Sequence, residues 1–176
     1  GSLGRRPSHS AADGAAFSNT SGTGVFASAA SVELGGIAPA DRNVISGLGF
    51  GVSLSASTGS QVLGNLFGTD LGGSVNRGNQ TATFLANGSS NNVLGNEAAP
   101  NRFGFNTFGI AVSESSTANR LGVNEHAGPA TIPIDLRTDT GNGVTPNDID
   151  DADAGGNNLQ NFPVLTGGVA FSTSIA

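Results

Sequence analysis

The chain of 176 residues has no cysteine, methionine, tryptophan or tyrosine. Its seven basic residues are all arginine. Without cysteine there are no disulfides and no thiolate metal sites. Without methionine the sequence does not begin at its own initiator, so it is read as a processed product or a piece of a longer protein. Tryptophan and tyrosine, the usual flat platforms for sugar rings, are missing. Charge is scarce as well, at 11% of residues. Disordered chains carry more charge and fewer Val, Leu, Ile and Phe, so most of this chain is expected to fold. The net charge is −6 and Arg5-Arg6 is the one adjacent basic pair. That excludes the clustered positive charge which nucleic acid requires. No apolar run is long enough for a membrane-spanning helix, and no signal peptide is recognisable, so membrane insertion is not expected.

What is plentiful is glycine, with 28 residues, set among Asn and Ser. These residues tolerate positive φ and suit a chain that turns every few residues. Leu-Gly recurs at Leu34-Gly35, Leu63-Gly64, Leu94-Gly95 and Leu121-Gly122, in steps of 29, 31 and 27 residues. A period of that size marks a solenoid, whose repeats bury an apolar face only against their neighbours. Such a stack needs no cross-links, so the missing cysteines do not argue against secretion. Gly51-Val52-Ser53-Leu54-Ser55 leads to Gln61-Val62-Leu63-Gly64-Asn65, and shifting by 31 meets Asn92-Val93-Leu94-Gly95-Asn96. Large apolar residues alternate with Ser, Ala or Thr in these units, which is the period of a strand with one face buried.

The expected organisation has four parts. Residues 1–21 form a leader or cap, 22–136 the coils, 137–165 an acidic closing segment, and 166–176 a terminal strand. Two connector types alternate, one around 35–47 with a partner at 95–105, the other at 66–73. Arg42 and Arg102 coincide at an offset of 60, so a superperiod of two coils is expected. The expected interior stacks are Val62 on Val93 and Leu63 on Leu94 and Leu121. Asn65 on Asn96, and Asn92 on Asn119, would form amide ladders at the corners.

Arg42-Asn43-Val44-Ile45-Ser46-Gly47, Phe67-Gly68-Thr69-Asp70 and the Val-Leu-Gly-Asn pairs together resemble the right-handed parallel β-helix repeats of large bacterial secreted and surface proteins. The tail from Gly143 to Leu165 resembles the segment that closes such a helix. The resemblance implies an all-β, single-stranded right-handed parallel β-helix of about four to five coils. It also implies an extracellular or cell-surface setting in a prokaryote, and no particular reaction.

Candidate sites are few. Asp148, Asp150, Asp151 and Asp153 place oxygen ligands at near-alternate positions before a glycine turn, the chemistry a hard cation such as calcium takes. The pattern lacks the closing bidentate Glu of an EF-hand, and the alternative is a solvated connector whose Asp residues cap turns. No cofactor is required by anything else in the sequence. The carboxylates Glu33, Asp41, Asp70, Glu97, Glu114 and Glu125 share no repeat position, so polysaccharide cleavage by paired acids is the minority expectation. Asp41-Arg42 reads as a connector ion pair. His9 and His126 lie in polar stretches without a triad, and Phe103, Phe105 and Phe108 are weighed as an exposed stripe. The triplets at Asn19, Asn79 and Asn87 are candidate glycosylation acceptors in turns. The ends of a β-helix present unpaired backbone and apolar rungs. Val169, Phe171, Thr173 and Ile175 in the last strand are therefore the candidate self-association residues. The expected function is a non-enzymatic structural or adhesive module that joins copies of itself into an oligomer or polymer. A glycan-binding or glycan-cleaving β-helix with a cell-surface partner is the alternative.

Overall fold

The computed structural model describes residues 19–127, 132–138, 141, 143–151, 153–164, 166 and 167. Within them the chain winds as an all-β parallel solenoid of four coils. The first coil holds β1 (Asn19–Ser28), β2 (Glu33–Gly35) and β3 (Val44–Ile45). The second holds β4 (Leu48–Ser55), β5 (Gln61–Leu63) and β6 (Leu66–Phe67). The third holds β7 (Thr81–Ala86), β8 (Val93–Leu94) and β9 (Asn101–Gly104). The fourth holds β10 (Phe108–Val112), β11 (Arg120–Leu121) and β12 (Asn124–Ala127). A single strand, β13 (Ile132–Leu136), begins a fifth turn. The strands form three sheets, ordered β1-β4-β7-β10-β13, β2-β5-β8-β11 and β3-β6-β9-β12, and every strand pair within them is parallel. No described helix is long and apolar enough to cross a membrane.

The second and third sheets each send one column of apolar side chains inward, and the first sends two, one of them Val25, Val52, Thr83 and Ile110. The other column of the first sheet stacks Ala27, Leu54, Leu85, Val112 and Leu136. The second stacks Leu34, Val62, Leu94 and Leu121. The third stacks Ile45, Phe67, Phe103 and His126. The Phe67 and Phe103 rings lie 5.0 Å apart and nearly parallel, and His126 continues the pile 5.1 Å from Phe103. Middle members are sealed, whereas Leu34, Leu121 and Leu136 at the two ends are only partly covered. Fully burying one such side chain contributes roughly 1.5–3 kcal/mol, so a coil reaches its full contribution only with a neighbour on each side. The wide aromatic column needs room opposite. Gly51 supplies it: a Cβ there would stand 3.2 and 3.3 Å from Ile45 and Phe67 and only 2.5 Å from the Ala82 carbonyl.

Two details of register differ from the sequence expectation. Val62 stacks on Leu94, and Gln61 on Val93. Matching identical residues would instead turn Leu63 inward and carry Gln61 with it, because alternate residues share a face. A buried amide without partners is costly, so the slipped register wins. The corner ladder likewise runs through Asn43, Asn65, Asn101 and Asn124, not through Asn96. Coil three carries an insertion, 95–100, between β8 and β9, and Asn101 is the residue that arrives at the corner. Asn96 caps that insertion by accepting the Ala99 N–H at 2.8 Å.

The ladders follow one rule. Beyond the first rung, Asn43, each side-chain amide donates to a carbonyl of the preceding coil, as Asn65 does to Leu34 (2.9 Å), Asn101 to Val62 (2.7 Å) and Asn124 to Leu94 (2.9 Å). Its Oδ1 accepts from the Asn beneath, as Asn101 does from the Asn65 N–H at 3.0 Å. A second corner stacks Asn92 and Asn119, as expected from sequence, and a third stacks Asn79 and Asn106. Since an unmade buried bond costs roughly 1–3 kcal/mol, the ladders penalise any slip of register at all three corners.

Candidate functional site

The stack ends on open strands. At one end lie β1, β2 and β3, and at the other β11, β12 and β13. Among the described residues no further strand pairs with any of the six. Apolar side chains accompany the edges: Phe26 is 65% exposed, and Val44 and Ile134 are also open. At the β13 end Leu121, Ile134, Leu136, Leu159 and Phe162 line a groove of about 580 Å³ between the last coil and the closing segment. Val169, Phe171, Thr173 and Ile175 lie outside the described residues, as does His9.

The closing segment is held by asparagine rather than by repeats. Asn157 sits on the Asn92–Asn119 ladder as its last rung: its Oδ1 accepts the Asn119 N–H at 3.0 Å, and its Nδ2 donates to the Asn119 carbonyl at 2.7 Å. Asn157, Asn158 and Leu159 all take positive φ there, which asparagine tolerates better than most residues. Asn147 and Phe162 exchange two bonds, and Asn161 and Asp148 do the same. Asp151 accepts the Asn161 N–H at 2.8 Å, so this carboxylate caps a turn. Among the described residues no three His, Cys, Asp or Glu groups cluster as metal ligands. Asp148, Asp150, Asp151 and Asp153 follow one another along an exposed bend.

On the sides of the solenoid the carboxylates are dispersed. Glu33 lies in the second sheet, Glu125 in the third and Asp135 in the first. Asp135 is buried, pairs with Arg137 at 2.8 Å and accepts the Gly143 N–H. The expected Asp41–Arg42 ion pair does not form. Asp41 turns back to cap Ala38 N–H at 3.2 Å, and Arg42 donates its Nε–H to the Gly64 carbonyl at 3.0 Å. Nor is there a stripe of Phe103, Phe105 and Phe108. Phe103 is core, Phe105 turns a corner with φ 60°, and Phe108 packs beneath the Arg137 guanidinium. His126 is the exposed top of the aromatic column, and desolvation against Phe103 holds its pKa below the ordinary value.

Sequence reading missed a notch on the outer side of the third sheet. The insertions explain it. Coils one and three carry extra residues between their second and third strands, at 36–43 and 95–100, and coil two has only Gly64 and Asn65 there. Coil two instead carries a loop, 68–80, after β6. Asp70 fixes that loop by accepting the Val75 and Ser74 N–H groups at 3.0 Å, and these bonds lower its pKa. The resulting cavity, about 170 Å³, is lined by Arg42, Arg102, Glu125, Gly73 and the apolar Leu66, Leu71 and Pro100. The Arg102 guanidinium lies flat on Gly73, where a Cβ would meet Nη1 at 3.0 Å. Its Nε–H is sealed from solvent and has no acceptor. A buried donor left unmade costs roughly 1–3 kcal/mol. The one available signal was the near-coincidence of Arg42 and Arg102. Asn43 and Asn101 share a corner, so Arg42 precedes the ladder and Arg102 follows it.

Of the glycosylation triplets, Asn79 is buried and its amide is consumed by Ile45 and Asn106, so it is closed to modification. Asn87 is exposed in a turn and donates to Ser55 Oγ. The side chain of Asn19 is outside the described residues.

The geometry defines a parallel β-solenoid with three asparagine-laddered corners and, among the described residues, no strand beyond its terminal ones. Comparison with known proteins yields no matching family model, no similar curated protein and no similar solved structure.

Proposed function

We propose that this chain is a non-enzymatic extracellular structural or adhesive β-helix module that joins copies of itself end to end. The observation that supports this reading is that no described strand extends the sheets at either end. Among the described residues no strand pairs with the outer side of the six terminal strands, which lie beside partly exposed apolar columns, and a sheet edge of this kind is a template for another chain. The Asn ladders add direction, because the rungs after Asn43 each donate to a carbonyl of the preceding coil, and a copy stacked head to tail would continue the same pattern.

Sedimentation velocity across a concentration series tests the reading. Large assemblies are expected from the full chain. They should shrink on deletion of 166–176 and on Val44→Lys, which places a charge on the β3 edge without touching the core. A monodisperse monomer at every concentration, or assemblies indifferent to both changes, would overturn the proposal.

A further inference from the structure

We propose that the notch beside Arg102 binds the carboxylate of an acidic saccharide. Arg102 brings four Nη N–H donors to the notch above its sealed Nε–H, and none of the five meets an acceptor among the described residues. Arg42 spends only its Nε–H, on the Gly64 carbonyl. Among the described residues neither guanidinium forms an ion pair with a carboxylate, although Glu125 lines the same cavity and is the register partner of Arg102. Two guanidinium groups with unused Nη donors lining one notch match the fork geometry by which arginine takes a carboxylate.

The rest of the lining selects among anions. Leu66, Leu71 and Pro100 offer nothing to an inorganic ion, but they suit the C–H face of a sugar ring. Glu125 repels a compact dianion and accepts hydrogen bonds from hydroxyls. A ligand with a carboxylate at one end and hydroxyls at the other satisfies all of these groups. The walls are held in place: the Asp70 turn fixes the Leu71–Gly73 side, and the Asn ladder fixes β9 through Asn101. The notch lies on a lateral face, so it does not depend on end-to-end assembly. Sedimentation and ligand binding can fail separately.

The test is calorimetric titration of the full chain with trigalacturonate, with its methyl ester, and with sodium sulfate. Saturable binding of trigalacturonate is expected, with no binding of the ester and weak or no binding of sulfate. Arg102→Gln should weaken it at least about tenfold, the scale of one lost charged hydrogen-bond pair. Arg102→Lys, which keeps the charge and loses the fork, should weaken it too. In the unaltered chain the Arg102 Nε–H resonance should shift as trigalacturonate is added, a readout that needs no variant. Absence of binding, equal binding by R102Q, an unmoved Arg102 resonance, or sulfate competing at the same concentration would overturn the proposal.

Discussion

Coils two and three differ from the closing segment, 143–164, in how they satisfy the same backbone. In the middle of the stack a strand finds its partners one coil away, and a corner asparagine meets another asparagine, so one rule serves each turn. Beyond Ala127 only β13 continues a sheet among the described residues. Beside the fourth coil, across a groove, lies a segment with no strand of its own. Asn157 reaches the ladder from 38 residues away, and Asn147 and Asn161 brace the bend with side-chain amides in place of strand pairing. A solenoid can thus be ended by copying one rung of its ladder without copying a coil.

The largest expected effect breaks a rung in the repetitive part. Asn101→Ala would orphan the buried Asn65 N–H and take one of two donors from the Val62 carbonyl, which keeps the Gly95 N–H, and the chain should lose about 2–3 kcal/mol in a denaturant titration. Asn157→Ala removes a part-buried rung at the end and should cost about 1–2 kcal/mol. Amide exchange locates the two changes differently. The first should expose coils two and three together, whereas the second should loosen the fourth coil and leave the rest protected. Equal losses, or equal spread of exchange, would mean that the closing segment is as integral to the stack as a coil.

A smaller effect of opposite sign is expected inside the first sheet. Thr83 sits between Val52 and Ile110 with its hydroxyl buried and unpartnered. Thr83→Val keeps the shape and removes the orphan group, and should raise stability by about 1 kcal/mol.

Coil number, strand period and apolar columns were legible in the sequence because they repeat. The slip between Val62 and Val93 was not, since identity and inside–outside alternation point to different partners and only alternation carries energy. The shift from Asn96 to Asn101 was hidden for a related reason: an insertion moves the corner without altering the Val-Leu-Gly-Asn match. The notch was the least legible feature. It arises from where coil two lacks residues that coils one and three possess, and a gap between insertions has no motif. Arg42 and Arg102 were visible only as an offset, and the Arg42-Asn43 and Asn101-Arg102 orders place them on opposite sides of one ladder.

The smallest effect concerns the third column, where the two regions meet. His126 tops the Phe67–Phe103 pile at the place where a fifth coil would set another ring. Burial lowers its pKa in the fold, so between its folded and unfolded pKa values the unfolded chain holds more protons. Stability should therefore be complete above the unfolded value of 6.5 and decline as pH falls toward the folded one. His126→Phe keeps the stacking and removes the titration. The melting temperature of this variant should be flatter than that of the unaltered chain between about pH 7 and pH 5, and the difference between the two curves cancels His9. Parallel curves would mean that water reaches the His126 ring as freely in the fold as in the unfolded chain, and that the last rung of the aromatic column lies outside the dry interior.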